Sequence, residues 1–454
     1  MKGQKARKAK FPIENARAAA LAVLSSVESG AYSNIKLNQV LKQLQLSRED
    51  AALATEIAYG TLQRQNTLDW MLTPFVTREL SALDGWVRNL LRLSVYQLVY
   101  LDRIPDHAVV DEAVKLAKSC GNPGLGGFVN GVLRSFLRQP DRRKIPEDLP
   151  LVQRLALEFS HPEWLVARWL KQYGQERTEA VLRENNSRPV QAVRVNALKS
   201  QRDDLLERLR QEYPGNWQRS PIAAQGLRYT GAVPLAHSRW HEEGWLTVQD
   251  DSAQLVGEIL DPRPGMRVLD ACAAPGGKAT HLAERMGDRG TVVAWDIYEH
   301  KVGLVRQAAR RLGLTSVTAE RFDARRGAQW EGERFDAVLL DAPCSGLGVV
   351  RRRPEIKWVR REEDIPNLAQ LQRELLEGVA PLVRPGGILV YSTCTLAREE
   401  NEDNVAWFLH RHREFQLDRE TPHPLCAEGW VQIFPDQYGS DGFFIARLKK
   451  LAGH

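Results

Sequence analysis

At 454 residues the chain exceeds what one hydrophobic core organises, so two or three domains are expected. Its 43 % hydrophobic and 26 % charged composition is that of an ordinary globular protein, and no apolar run approaches the roughly 18–20 residues that span a bilayer, which excludes helical membrane proteins. Lys+Arg 63 against Asp+Glu 57 leaves a charge of +6, a mild lean towards a polyanion, while five cysteines with no CxxC pair argue against a disulfide framework or a zinc site and fit a reduced, cytoplasmic setting.

In chain order, Lys2, Lys5, Arg7, Lys8 and Lys10 form a basic tail, read as solvated, with phosphate contact as the alternative. The stretch AAALAVL at 18–24 faintly mimics a secretory signal but continues as an amphipathic helix through Val27. From about 14 to 138 the pattern is helical throughout. Val87, Leu90, Leu91, Val95, Leu98 and Val99 make one apolar stripe, and breaks are expected at Gly30, Pro74, Pro105 and the GNPGLGG run at 121–127. A helical bundle follows, and pattern alone does not say what it binds.

Pro140–Pro150 is proline-rich and charged, as a linker is. Ser160 and Glu163 have capping-box spacing ahead of a helix stopped at Gly174, and VQAVRVN at 190–196 alternates as a strand. Residues 151–240 thus read as a small α+β module. Beyond 241 the texture changes. MRVLDAC, TVVAWD, SVTAERFDA, FDAVLLDAP and GILVYSTC are apolar, β-branched runs separated by helical stretches, which predicts an α/β domain with a doubly wound, mostly parallel sheet.

In such a sheet ligands bind beyond the carboxyl ends of the strands. The first run ends at Asp270 and enters Ala271-Cys272-Ala273-Ala274-Pro275-Gly276-Gly277-Lys278, where the two glycines let a ligand lie against backbone. The second ends on Asp296, about 20 residues past the glycines, where a carboxylate can accept from both ribose hydroxyls. The third ends near Asp323, the fourth on Asp341 and the fifth on Cys394. A Walker A loop fails here because Cys272 and Ala279 stand where Gly and Ser or Thr are needed, and G-x-G-x-x-G fails too. A nucleoside-binding rim beside thiols suits S-adenosylmethionine.

Asp341-Ala342-Pro343-Cys344-Ser345-Gly346 and Ser392-Thr393-Cys394-Thr395 each place a cysteine just past a strand. Methylating carbon 5 of cytosine requires making that carbon nucleophilic, which a thiolate does by adding to carbon 6 and later leaving. Amino-group methyltransferases usually carry an Asp/Asn-Pro-Pro-aromatic box, and DAPC here favours carbon methylation instead. Asp341, if protonated or facing a protonated cytosine, can hold the ring nitrogen. Spacing leaves Cys344 and Cys394 tied as the attacking thiol. A cysteine at a strand end is ordinarily a small inert hydrophobe, the reading that fits Cys120, Cys272 and Cys426. Arg351, Arg352, Arg353, Lys357, Trp358, Arg360 and Arg361 mix cations with an aromatic and are expected to touch RNA.

At these residues the chain resembles the RNA cytosine-5 methyltransferases, in particular the bacterial RsmB (Sun) type acting on 16S ribosomal RNA. The resemblance rests on VQDDSAQLV at 248–256, VLDACAAPGGKATHL at 268–282, LLDAPCSGLGVVRRRPEIKW at 339–358, YSTCTLAREEN at 391–401 and SDGFFIARL at 440–448. IPDHAVVDEAVKLAK at 104–118 and FVNGVLRSFLR at 128–138 are similar to the NusB-like domain of that type. The resemblance implies a NusB-like RNA-binding bundle over 1–140, an RNA-binding or connecting module over 151–240 and a Rossmann-like methyltransferase domain over 241–454. It implies that Cys272, Ala273, Ala274, Pro275, Gly276, Gly277, Lys278, Asp296, Asp323 and Asp341 hold S-adenosylmethionine, that Cys394 is the nucleophile and that Cys344 assists product release. A cytoplasmic monomer acting on free or partly assembled 16S rRNA is expected, without metal or membrane. Transfer RNA or another ribosomal site is the alternative substrate, and a non-catalytic assembly or antitermination factor the alternative class. Trp295 departs from the family pattern, in which a small aliphatic residue more usually precedes the ribose-binding aspartate.

Overall fold

The computed structural model describes residues 15–44 and 46–453. The basic tail at 2–10 lies outside them. Two compact units are present, residues up to Asn186 together with Arg352–Val359, and Ser187–Arg351 together with Arg360 onward. Among the described residues no helix is long and apolar enough to cross a membrane.

The first unit is helical. Asn15 caps Ala16–Glu28 by accepting from the backbone N–H of Arg17 and Ala18, and the AAALAVL stretch is its buried face. Ser33–Leu44, Arg48–Gln63, Gln65–Leu72, Gly85–Tyr100, Asp106–Cys120 and Pro123–Arg138 complete the bundle. Val87, Leu90, Leu91 and Val95 of the expected stripe are buried, while Leu98 and Val99 pack at its margin. The GNPGLGG run differs from expectation. Asn122 caps and Pro123 opens a helix that absorbs Gly124, Gly126 and Gly127, so the break is confined to Gly121–Asn122. A Cβ on Gly126 would stand 2.7 Å from the Lys118 side chain, so glycine there lets two helices approach. Leu151–Glu158 and Glu163–Glu184 also belong to this unit, the latter interrupted at Gly174 (φ 75°) as the sequence indicates.

The second unit holds two sheets. In the smaller, β1 (Gln191–Val195), β2 (Asn216–Arg219), β3 (Gly226–Thr230) and β4 (Leu246–Val248) pair antiparallel in the order β2-β3-β1-β4. Val193, Val195, Trp217, Leu227 and Tyr229 form its core with Leu205, Leu206 and Leu209 of helix Arg202–Glu212.

The larger sheet has eight strands among the described residues. The five apolar runs become β5 (Arg267–Asp270), β6 (Thr291–Asp296), β7 (Val317–Arg321), β8 (Phe335–Asp341) and β9 (Val383–Thr393). They are parallel in the order β9-β8-β5-β6-β7. β10 (Phe415–Leu417), β11 (Trp430–Ile433) and β12 (Phe443–Lys450) add antiparallel, with β12 on β9. Apolar clusters cover both faces, as a parallel sheet requires. The chain reverses its strand order between β5 and β8, and that switch point opens the crevice where ligands bind. Trp295 is wholly buried against Phe322, Trp330 and Phe335, with ring centroids 4.3, 5.1 and 6.3 Å away. Its size is absorbed by that aromatic cluster, and Asp296 remains at the strand end.

Candidate active site

The switch point brings β5 and β8 side by side, so Asp270 and Asp341 share the rim with the turn after β5. Gly276 adopts φ +108°, and a Cβ there would lie 3.1 Å from Val305 Cα, so the turn needs glycine both for conformation and for space. Helix Gly277–Arg285 starts at once and aims Lys278 back across the rim. Its Nζ donates to Asp341 Oδ2 at 2.8 Å, and Ser392 Oγ donates to Asp341 Oδ1 at 2.8 Å. Burial pulls the Lys278 ammonium down, but Asp341, with Cys394 and Asp270 nearby, holds it above the ordinary lysine value.

Asp270 is wholly buried. Burial first, and then the Asp341 charge, push its carboxyl up to about 7 against the pull of Lys278. Burial and the surrounding aspartates likewise raise the Cys272 thiol well above the ordinary range, so this cysteine is inert. Asp296 accepts from the backbone N–H of Tyr298 at 3.0 Å, with Lys301 Nζ 4.0 Å away. Asp323 is engaged differently. Arg325 grips its carboxylate at 2.7–3.2 Å and holds its pKa below the usual range, so Asp323 stands near the end of β7 as half of an ion pair.

β8 and β9 run parallel with Asp341 opposite Ser392, which places the two following loops together. Cys344 Sγ and Cys394 Sγ are 3.3 Å apart. Hydrogen bonding to Cys394 first, and burial second, push the Cys344 thiol well above its ordinary value. Cys344 therefore stays protonated at neutral pH.

Several residues support the two thiol loops in ways not read from the sequence. Glu400, wholly buried, accepts from Ser345 N–H at 2.9 Å, Gln372 Nε2 at 2.8 Å and Thr395 Oγ1 at 3.3 Å, and so ties the Cys344 loop to the Cys394 loop. Gly348 N–H donates to the Cys394 carbonyl at 3.0 Å, and any Cβ on Gly348 would clash with Gly442 O at 2.0 Å. Arg360 donates to the carbonyls of Ser345 at 3.0 Å and Cys344 at 3.4 Å. Glu400 and Gly348 lie inside the YSTCTLAREEN and LLDAPCSGLGVVRRRPEIKW segments, while Arg360, expected to touch RNA, braces the Cys344 loop.

Two cations of the basic run after β8, Arg351 and Lys357, are turned inward and not toward an RNA face. Arg351 is buried and donates to Gly439 O. Lys357 is wholly buried and donates to Gln63 O at 2.9 Å, Trp358 Nε1 donates to Leu62 O at 2.6 Å, and Glu355 accepts from Ser33 Oγ at 2.7 Å. Lys357 and Trp358 thus cap the open carbonyls at the end of helix Arg48–Gln63. Arg353 and Arg361 remain exposed. Among the described residues no cluster of His, Cys, Asp and Glu is arranged to hold a metal ion.

A helical bundle, a small antiparallel module and a doubly wound sheet with two thiols at its rim define a methyltransferase-type architecture. Comparison with known proteins specifies it. A family model described as 16S rRNA methyltransferase RsmB/F matches residues 257–449, the NusB family matches 14–138, and the ferredoxin-like domain of RsmF/B-like methyltransferases matches 161–236. The probable ribosomal RNA small subunit methyltransferase B of Bacillus subtilis (strain 168) is 42 % identical over 439 residues, 94 % of this chain and 97 % of that protein. Ribosomal RNA small subunit methyltransferase B of Yersinia pseudotuberculosis serotype O:1b (strain IP 31758) is 39 % identical over 438 residues, 94 % of this chain and 98 % of its own. The crystal structure of PH0851 superposes with a TM-score of 0.84 at 31 % identity, covering 98 % of this chain and all of that one. The chain belongs to the RsmB/F family of 16S rRNA methyltransferases.

Proposed function

We propose that the chain transfers a methyl group from S-adenosylmethionine to carbon 5 of a cytosine in 16S rRNA through a covalent Cys394–cytosine adduct. The observation that carries this reading is the pair of thiols, 3.3 Å apart, beside the Lys278–Asp341 ion pair. Amino-group or ribose methylation has no use for either sulfur.

The donor set suits this cofactor. Its sulfonium, ammonium and ribose diol are cationic or hydrogen-bond donors, and the rim offers the acceptors Asp296, Asp341 and Asp270 with a turn, Cys272–Lys278, whose glycines admit close approach. Asp323 joins them through its pair with Arg325. When bound, S-adenosylmethionine supplies an electrophilic methyl group.

Cys394, beside Lys278, adds as thiolate to carbon 6, and the ring electrons move to carbon 5. Asp341 already accepts on both oxygens, so it meets ring nitrogen 3 as an acceptor and the ring brings the proton there. After methylation carbon 5 must lose its proton before the carbon 6–sulfur bond can break. In the adduct Cys394 is a neutral thioether, which removes the largest cause of the raised Cys344 pKa. Cys344 then ionises more readily, takes the carbon-5 proton, and the Cys394 thiolate departs with the bonding pair.

The bundle over 1–140 and the module over 151–240 are the proposed RNA-binding parts of a cytoplasmic monomer. A paired base is out of reach, so free or partly assembled 16S rRNA is the expected substrate. Bisulfite sequencing of ribosomal and transfer RNA, from cells with the protein and with Cys394→Ala, tests the reading. A 16S cytosine that loses methylation in the variant strain supports it. Unchanged ribosomal methylation, or loss at a transfer RNA site, refutes it.

A further inference from the structure

Arg194 lies on β1 of the small module, yet its side chain is wholly buried and belongs to neither that module's core nor the thiol site. Its neighbours Val193 and Val195 point into the module, so strand alternation turns Arg194 to the opposite face. There it meets the helix that follows the glycine turn. Nε and one Nη donate to the two oxygens of Glu284 at 3.0 Å each, and the same Nη reaches Thr280 Oγ1 at 3.3 Å. The other Nη donates to Gly277 O at 2.8 Å and to Gln249 Oε1. All five guanidinium N–H groups thus have acceptors.

Gly277, Thr280 and Glu284 form one stripe of helix Gly277–Arg285, at the spacing that shares a helix face. The fork therefore grips that helix at its first residue and again two turns later. Gly277 sits between Gly276, with its left-handed φ, and Lys278, which reaches Asp341. Fixing the Gly277 carbonyl fixes the backbone on both sides.

We propose that Arg194 is a positioning residue for the cofactor turn, and that the ferredoxin-like module thereby forms part of the S-adenosylmethionine site. The inference rests on the cofactor reading above. It assigns the module a role in cofactor affinity that is separate from any RNA contact.

The test measures S-adenosylmethionine binding by titration calorimetry on the full chain, with thermal melting and steady-state kinetics, for Arg194→Lys and Glu284→Gln. A lysine's single nitrogen cannot serve Glu284 and Gly277 together, whereas Glu284→Gln keeps an acceptor and leaves the Gly277 contact in place. Both variants disturb a buried ion pair, so both lower the melting temperature. Only Arg194→Lys is expected to weaken cofactor binding, by about 10-fold or more, with KM for the cofactor rising in parallel and kcat at saturation within about threefold. Should Arg194→Lys be insoluble, the double variant Arg194→Met with Glu284→Gln, which leaves no buried charge unpaired, also lacks the Gly277 contact and should weaken binding in the same direction. Equal weakening in Glu284→Gln, or unchanged affinity in Arg194→Lys and in the double variant, overturns the proposal. Absence of binding by the wild-type chain would instead count against the cofactor reading itself.

Discussion

Cys344 and Cys394 leave neighbouring parallel strands and bring their sulfurs to 3.3 Å. Neither loop reaches this arrangement alone. Glu400 bridges the two through Ser345 and Thr395, and Gly348 closes onto the Cys394 carbonyl. The pair is a product of register between β8 and β9, and its chemistry depends on the loops staying in step.

Glu400 is accordingly expected to matter for turnover without touching substrate. Glu400→Ala removes the acceptor of the Ser345 N–H and leaves a buried donor unpaired, a loss of about 1–3 kcal/mol. Single-turnover methylation should slow about 10-fold or more, while Glu400→Gln, which can still accept from Ser345, should stay within a few-fold of wild type. Equal rates for Glu400→Ala and wild type would remove Glu400 from the positioning of the thiols.

Asp270 yields a pH-dependent expectation. Its folded pKa of about 7 lies above the value near 3.9 of an unfolded aspartate. A raised acid favours the folded state while both forms are protonated, and this contribution is lost as pH rises through 7. Asp270→Asn cannot ionise and is spared the loss. Its stability relative to wild type should therefore increase from pH 5 to pH 8, by roughly 2–3 kcal/mol. Melting curves at the two pH values check this, and a difference that shrinks towards pH 8 contradicts the assignment.

In the proposed cofactor reading Asp296, at the end of β6, receives the ribose diol. Asp296→Ala deletes two charge-assisted hydrogen bonds, so the dissociation constant for S-adenosylmethionine should rise about 10- to 100-fold by calorimetry. The KM for RNA should hardly change. A shift in RNA affinity alone would place this strand end on the nucleic acid instead.

The sheet and its rim were legible because their signals are local. Five β-branched runs predicted β5–β9, and each strand ends on, or within two residues of, the position singled out for it, from Asp270 to Cys394. Less was legible where meaning depends on a distant partner. The three antiparallel strands from Phe415 onward carry no separate periodic signature, and β12 is defined by its pairing with β9. Arg194 reads as one polar position in an alternating strand, and nothing near it in sequence announces Gly277 or Glu284. The run from Arg351 to Arg361 misled for the same reason. Composition suggested a solvated or RNA-facing stretch, but the open carbonyls of helix Arg48–Gln63 draw Lys357 and Trp358 inward.

Lys357→Ala should destabilise the helical unit by about 2–4 kcal/mol, because it leaves a cavity and strips Gln63 O of its donor. The salt dependence of RNA binding should not change. Loss of a phosphate contact would instead lower the slope of log K against log salt by about 1, which a titration between 50 and 200 mM salt resolves.

The roles of the two sulfurs are tested most directly by trapping the adduct. Cys344→Ala and Cys394→Ala are each incubated with unmodified 16S rRNA and S-adenosylmethionine, run on a denaturing gel, and the cross-linked peptide is identified by mass spectrometry. Cys344→Ala should accumulate a protein–RNA adduct through Cys394, since attack and methylation proceed while release stalls. Cys394→Ala should give neither adduct nor methylated RNA. An adduct through Cys344 in the Cys394→Ala protein would exchange the two roles, and 5-methylcytosine formed at wild-type rate by Cys394→Ala would contradict covalent catalysis by this pair.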